Sequence, residues 1–229
     1  MALYYSNANP RLKEEFLNLK PTAGYCIFID IVDSVALKDQ NIEVWCAAIH
    51  NVIGKSSYWL DGFMNENPRT EKNDLEMQGI GLLPLKIIGD CVMFFIPQNL
   101  MPQGATALSI FHSLQLIIKQ YVYPKPEVRI AVTFCEDAYE ITFVKGTRDV
   151  YGKDIDLAAR LLKKANPQEL VMNDLFYLRA KCVFAGLANK NEYREFSDIH
   201  GSWPEIIKGF KEPKNIYKWR WLTPAATGT

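Results

Sequence analysis

Apolar residues along the chain form short continuous runs and longer segments with helical spacing, and the two patterns follow one another in a regular order. The run 24–32 is almost wholly apolar and rich in Ile and Val, which predicts a buried central strand. Apolar positions at helical spacing predict amphipathic helices over 35–60 and 103–121. A third helix is predicted over 154–165, where Asn166 and Pro167 end the pattern.

The remaining apolar runs predict further strands. Residues 82–88 and 91–96 are separated by Gly89-Asp90, a hairpin signal. A second strand pair is predicted over 128–134 and 139–144, and three short elements follow: a strand at 170–172, a helix at 173–181 and a strand at 216–219. The order β-α-β-β-α-β predicts an α+β fold with a ferredoxin-like core and additional helices and strands.

The pattern contains no internal repeat and no linker rich in Pro, Gly or Ser, so we predict one domain over 22–222. Residues 1–21 are predicted to be an N-terminal extension with a short helix at 11–19. The polar stretch 61–80 is predicted to be a long loop or insertion, and 223–229 a frayed tail.

Charge and composition exclude several classes of function. The 26 basic and 26 acidic residues cancel, so no global basic field supports nucleic-acid binding. No signal-peptide pattern or membrane-length apolar run is present. The five widely spaced cysteines predict reduced, buried thiols in a cytoplasmic protein. The three scattered histidines give little support to a zinc site or a catalytic triad, which leaves carboxylates as the candidate chemistry.

Two aspartates stand out by their positions. Asp30 interrupts the apolar run 24–32, and Asp90 lies at the tip of the predicted hairpin. An ionised carboxylate inside an apolar strand is costly unless it is paired or bound to a metal. The residues alone leave two interpretations open: Asp30 caps a turn or pairs with a lysine while Asp90 favours its turn, or the two together hold Mg²⁺ or Mn²⁺.

Four segments resemble motifs of the class III nucleotidyl cyclases, the adenylate and guanylate cyclase family. Residues 28–34 (Phe-Ile-Asp-Ile-Val-Asp-Ser) resemble the first metal motif, and 86–90 (Lys-Ile-Ile-Gly-Asp) resemble the second, K-x-x-G-D. Residues 149–160 are similar to the family's D-x-W/Y-G-x-x-V-N-x-A-A-R, and 206–217 to its closing K-G…V-Y segment. The four occur in the family's order and cover roughly 22–218.

The resemblance implies a two-metal site and a base-binding pair. Asp30, Asp90 and the backbone carbonyl of Ile31 would bind two divalent cations, Mn²⁺ or Mg²⁺. Lys86 and Asp149 match the pair that binds the nucleotide base.

The resemblance also implies catalytic and phosphate-binding residues. Arg160 matches the arginine that stabilises the pentavalent phosphorus transition state, and Asp156 occupies the position of an asparagine that orients the ribose. Phe210 occupies the position of a lysine that contacts the terminal phosphates. The residues expected to bind phosphate are Asp33, Ser34, Lys208 and Lys211.

These residues together imply an enzyme that converts a nucleoside triphosphate to a 3′,5′-cyclic nucleotide and pyrophosphate, acting as a head-to-tail homodimer with shared active sites. The short chain resembles the stand-alone pyrimidine cyclases of bacterial Pycsar anti-phage systems, which favours UTP, then CTP, and a separate effector protein. The alternatives are a soluble adenylate cyclase and, because Asp156 and Val35 depart from the motifs, a degenerate domain that only binds nucleotide.

Overall fold

The computed structural model describes residues 19–62, 84–101, 105–121, 126–141 and 149–221. Its strands are β1 (Thr22–Ile31), β2 (Lys86–Ile88), β3 (Cys91–Pro97), β4 (Val128–Glu140), β5 (Val150–Tyr151), β6 (Glu169–Asn173), β7 (His200–Glu205) and β8 (Lys214–Arg220). Its α-helices are α1 (Ser34–Gln40), α2 (Ile42–Gly62), α3 (Ala107–Gln120), α4 (Lys153–Leu162) and α5 (Asp174–Gly186). Two 3-10 helices span Gln98–Leu100 and Asn191–Asp198.

The strands form one sheet in the order β2-β3-β1-β4-β6-β8-β7, and β5 pairs with β4. The pairing of β4 with β6 is parallel, and the other pairings are antiparallel. The first four strands in that order, with α1–α2 and α3 as crossover helices, form the ferredoxin-like core. The predicted α+β fold is therefore confirmed.

The central strand β1 is buried on both faces, which explains its nearly continuous apolar sequence. Tyr25, Ile27 and Ile29 belong to the core cluster that also contains residues of α2, α3 and α5. Cys26 and Phe28 belong to the second cluster, which contains residues of α4. Because successive side chains of a strand point to opposite faces, Asp30 lies on the α4 side of the sheet.

Several predicted elements differ from the structure. The strands predicted at 128–134 and 139–144 are not separate in the described residues, because β4 continues past the exposed Glu136 and Asp137 to Glu140: Ala138 pairs with β1 and Tyr139 with β5. The helix 35–60 is divided at Asn41, which is extended (φ −163°). Strand β7 was missed because it is an exposed edge that pairs with β8 alone.

The cysteine prediction was right in part. All five thiols are free, but Cys46 and Cys182 are exposed and Cys91 is partly exposed. The predicted helix at 11–19, most of the predicted loop 61–80 and the predicted tail 223–229 lie outside the described residues. None of the described helices is both long and apolar enough to span a membrane.

Candidate active site

Asp30 is held at the end of β1 by an arginine from the neighbouring strand. The residue is 6% exposed, and its register partner on β4 is Arg129. Arg129 donates from Nε to Oδ2 of Asp30 at 2.7 Å, and its Nη2 lies 2.6 Å from the same oxygen as an ion pair. Burial raises the pKa of the Asp30 carboxyl, Arg129 acts against that rise, and the charge of Asp90 adds to it. The pairing expected from the residues alone thus exists, with an arginine in place of a lysine.

Asp90 reaches the same place from the β2–β3 hairpin. The turn contains Gly89 at φ +66°, a backbone conformation that glycine adopts without strain. Asp30 pairs in register with Cys91, the residue that follows Asp90. The buried Ser34, at the start of α1, donates its hydroxyl hydrogen to Oδ2 of Asp90. Two carboxylates from distant parts of the chain therefore lie together.

This donor set fits a hard divalent cation. Among the described residues no group of three or more His, Cys, Asp or Glu side chains could hold a metal. Two carboxylates completed by backbone, substrate and water oxygens are nevertheless the usual environment of Mg²⁺ at phosphate sites. Ile31 is 1% exposed at the end of β1, so only its carbonyl could contribute. Burial raises the pKa of Cys91 to about 12, so that neighbouring thiol stays protonated and is a poor ligand.

Lys86 and Asp149 form an ion pair across 63 positions of sequence. Lys86 Nζ lies 2.6 Å from Oδ1 and 2.9 Å from Oδ2 of Asp149, and the two side chains are 33% and 23% exposed. Burial acts to raise the pKa of Asp149, but hydrogen bonds from Lys86, the Val150 N–H and the Tyr151 hydroxyl outweigh it, so the pKa lies below its ordinary value. The pair presents a donor and an acceptor side by side.

Two residues of this site were missed by sequence reasoning. Arg129 was not singled out because its place opposite Asp30 follows only from the β1–β4 register. Tyr151 lies inside a recognised motif but was given no role. Its ring centroid is 5.8 Å from Lys86 Nζ, so the ring flanks the Lys86–Asp149 pair.

Arg160 and Asp156 lie on α4, as their spacing predicted, but they do not form an ion pair with each other in the described part of the chain. Asp156 is exposed. The guanidinium of Arg160 instead lies over Gly209, whose Cα would place an added Cβ 3.3 Å from Nη2. The surface salt bridge that this spacing could also have produced is absent here, and Arg160 is positioned by the 207–210 turn.

The four predicted phosphate-binding residues are distributed differently. Ser34 contacts Asp90, whereas Asp33 is exposed in a left-handed conformation (φ 54°) with no capping hydrogen bond from its side chain. Lys208 and Lys211 are exposed on either side of Gly209. Phe210 packs against the core cluster on the α4 side of the sheet.

Gly209 gives a test of how Arg160 is positioned. At φ +90°, an alanine is strained by about 1–3 kcal/mol, and its methyl group would press on the guanidinium. We expect Gly209→Ala to lower both the melting temperature and any activity that depends on Arg160. Gly54→Ala is the matched control: Gly54 is inside α2, no heavy atom lies within 4 Å of the added Cβ, and a gain of about 0.5–1 kcal/mol is expected. Thermal melts show whether Gly209→Ala lowers and Gly54→Ala raises the melting temperature. A Gly209→Ala protein as stable as the native chain would contradict this geometry.

No protein-family model and no curated protein sequence matches the chain. Solved structures do. The adenylyl cyclase CyaB from P. aeruginosa superposes with a TM-score of 0.64 at 18% identity, covering 92% of this chain and 99% of that one. Adenylate cyclases from Trypanosoma brucei, in their monomeric state, give 0.60 at 14% identity (86% and 89%). The guanylyl cyclase Cya2 gives 0.61 at 13% identity (91% and 97%). The chain has the fold of class III nucleotidyl cyclase catalytic domains.

Proposed function

We propose that this protein is a nucleotidyl cyclase, which converts a nucleoside triphosphate to a 3′,5′-cyclic nucleotide and pyrophosphate. The observation that carries the proposal is the β2–β3 hairpin. The tip of this hairpin places Asp90 beside the buried Asp30. Lys86, four residues before Asp90, pairs with Asp149. One element thus carries a member of each pair, and in a head-to-tail dimer the two pairs of one chain would serve the two different sites. A fold alone does not fix activity, so these side chains are the argument.

The proposed reaction needs no protein nucleophile. The ribose 3′-hydroxyl attacks the α-phosphorus in line and releases its proton to solvent. A new O–P bond forms, and the bond between the α-phosphorus and the oxygen that bridges it to the β-phosphate breaks to release pyrophosphate. Divalent cations held by Asp30, Asp90 and the Ile31 carbonyl would lower the pKa of that hydroxyl and neutralise charge on the triphosphate. The chain's task is to hold these groups in line and to supply positive charge where negative charge develops.

Two arginines are suited to that task. Arg160 would stabilise the charge on the α-phosphate in the transition state, and its guanidinium lies beside Gly209. Arg129 neutralises Asp30 in the structure. If a cation bound Asp30, the planar guanidinium of Arg129 could instead bind a phosphate oxygen of the substrate. The carboxylate of Asp156 would accept a hydrogen bond from a ribose hydroxyl, whereas the asparagine of the family motif could also donate one.

The Lys86–Asp149 pair could bind several nucleotide bases, so it permits several substrates. Uracil offers O4 to Lys86 and N3–H to Asp149, whereas cytosine and adenine offer a ring nitrogen and an amino group in the matching order. The structural relatives include adenylyl and guanylyl cyclases, so the fold itself does not select the base. We put UTP first, CTP second and ATP third, on the resemblance to the stand-alone Pycsar pyrimidine cyclases. On the same basis we propose a cytoplasmic enzyme whose product activates a separate effector in anti-phage defence.

The site is proposed to be completed by a second copy of the chain. Within one chain, among the described residues, no hydrogen bond or ion pair connects Arg160 to Asp30 or Asp90. Exposed apolar side chains adjoin the candidate residues: Ile87 and Ile88 are 50% and 51% exposed between Lys86 and Asp90, and Val35 is 67% exposed beside Ser34. Apolar groups exposed around a polar site favour a protein interface over open solvent. A head-to-tail dimer would bring the carboxylates of one copy to Arg160 of the other.

Mixing two inactive variants tests the shared site. We expect Asp30→Asn and Arg160→Ala to be inactive separately, since each lacks one half of every site. Mixed subunits form heterodimers with one doubly defective and one intact site, so activity should recover to about a quarter of the native value. Pyrophosphate release measured before and after subunit exchange checks this. If each chain held a complete site, the mixture would stay inactive.

A further inference from the structure

The structure also contains a cavity at the first turn of α4, the helix that carries Asp156 and Arg160. It is enclosed by the first turn of α4, the end of β4, the junction of β6 with α5 and the segment that leads into β8, and its volume is about 300 Å³. That volume is at the lower end of the range for small-molecule sites. Neither Asp156 nor Arg160 lines it. Of the residues assigned to the candidate active site above, Phe210 alone lines this cavity.

The cavity contains a buried carboxylate without a partner. Asp154 lines it and is 8% exposed. Its backbone carbonyl accepts a hydrogen bond from the Thr133 hydroxyl, but its carboxylate makes no hydrogen bond or ion pair within the described ranges. Burial raises the pKa of Asp154, and the charges of Lys153 and Lys214 act against that rise. The carboxylate faces the cavity, so a ligand that donates hydrogen bonds to it would supply the partner that the described residues do not.

The other lining residues define the ligand's charge and shape. Glu136 and Asp174 add two carboxylates, and Lys153 and Lys214 add two ammonium groups, so with Asp154 the lining carries a net charge of −1 (two positive against three negative). Asp174 already accepts from the Tyr217 hydroxyl, and Lys214 Nζ lies 5.5 Å from the Phe210 ring centroid. A single positive charge on the ligand balances the set. The apolar part of the lining is formed by Leu157, Leu175, Phe210 and Pro213.

We propose that this cavity binds a small organic monocation, a primary amine whose ammonium group pairs with Asp154 and whose apolar body packs against Leu157 and Phe210. Occupation would hold together the first turn of α4 and the segment that contains Phe210. Gly209, the residue before Phe210, supports the Arg160 guanidinium, so the cavity is an effector site that acts on the position of Arg160. The effector role rests on the proposed cyclase function, whereas binding of the amine does not.

Binding to the full chain tests the proposal without any turnover, so its outcome is independent of the proposed reaction. The probe is benzylamine, and benzyl alcohol is the neutral probe of the same shape, each titrated by calorimetry with ligand-observed NMR as a second readout. We expect saturable binding of benzylamine, with benzyl alcohol at least about tenfold weaker because it lacks the charge. Equal affinity for the two probes, or binding of neither, would overturn the proposal.

Variants locate the binding. Asp154→Asn keeps the side-chain shape but removes its charge, and we expect it to weaken benzylamine at least about tenfold. Glu136→Gln alters an exposed lining residue, cannot disturb the core, and should weaken the probe by a smaller factor. Asp198→Asn, at an exposed aspartate that does not line the cavity, is the matched control and should bind normally. If Glu136→Gln and Asp198→Asn behave alike and Asp154→Asn binds as the native chain does, the ligand does not occupy this cavity.

Discussion

Replacing Asp30 by asparagine is expected to reduce cyclase activity on the order of a thousandfold, since the lost carboxylate removes the anionic ligand of the reaction's cations and several kcal/mol of transition-state stabilisation. The fold should survive the change. The asparagine carbonyl can still accept from Arg129, as Oδ2 of Asp30 does now at 2.6–2.7 Å. Pyrophosphate release with Mn²⁺, measured well below the melting temperature, checks the loss of activity.

The matched control is Asp39→Asn, at an exposed aspartate on α1 that belongs to no candidate site. It should keep native activity and native cation dependence. A further signature separates a metal ligand from a structural residue. Raising the Mn²⁺ concentration should partly restore Asp30→Asn, because the remaining carboxylate Asp90 still offers a weaker site. Native turnover in Asp30→Asn at ordinary Mn²⁺ concentration would show that Asp30 does not bind the catalytic cation.

Replacing Arg160 by lysine is the second large expected effect. Removal of one preorganised donor to a developing anion typically costs about 10²–10³ in kcat. Lysine keeps the charge but loses the planar, multiply donating guanidinium that packs on Gly209. We therefore expect kcat to fall by about that factor while KM changes little, since the interaction is made mainly in the transition state.

Arg194→Lys controls for this substitution. Arg194 is exposed in the 3-10 helix Asn191–Asp198 and contacts no candidate residue in the part of the chain that the structure describes. It should leave kcat and KM unchanged. An equal rise in KM with unchanged kcat for Arg160→Lys would instead assign Arg160 to ground-state binding, and unchanged kinetics would remove it from the active site.

The sequence predicted those elements of the fold in which local pattern and tertiary environment agree. The apolar run around Asp30 predicted β1 because a strand buried on both faces needs apolar residues at every position. The α4 boundaries were nearly right because the exposed and buried faces of that helix differ sharply. Strand β4 was divided wrongly at Glu136 because polar residues in the middle of a strand resemble a turn when the partner strands are unknown.

Sequence reasoning singled out many residues of the candidate site, but not Arg129, and it could not predict their contacts. Asp30 and Asp90 could be singled out because a carboxylate in an apolar strand and another at a hairpin tip are unusual. That Lys86 reaches Asp149 was implied only by resemblance, since 63 positions separate them. Arg129 could not be recognised at all, because nothing in its local sequence sets its register against Asp30. Non-local pairings of this kind are determined by the whole sheet.

The most direct test of the account is to identify the product. The purified chain, with Mn²⁺ and with ATP, GTP, CTP or UTP supplied separately, is analysed by mass spectrometry for 3′,5′-cyclic nucleotide and by a pyrophosphate assay. We expect a cyclic nucleotide with an equal amount of pyrophosphate, formed from UTP in preference to CTP and ATP. A product from ATP alone would support the cyclase assignment but make ATP the substrate in place of UTP. Triphosphate binding with no cyclic product from any of the four would contradict the cyclase assignment.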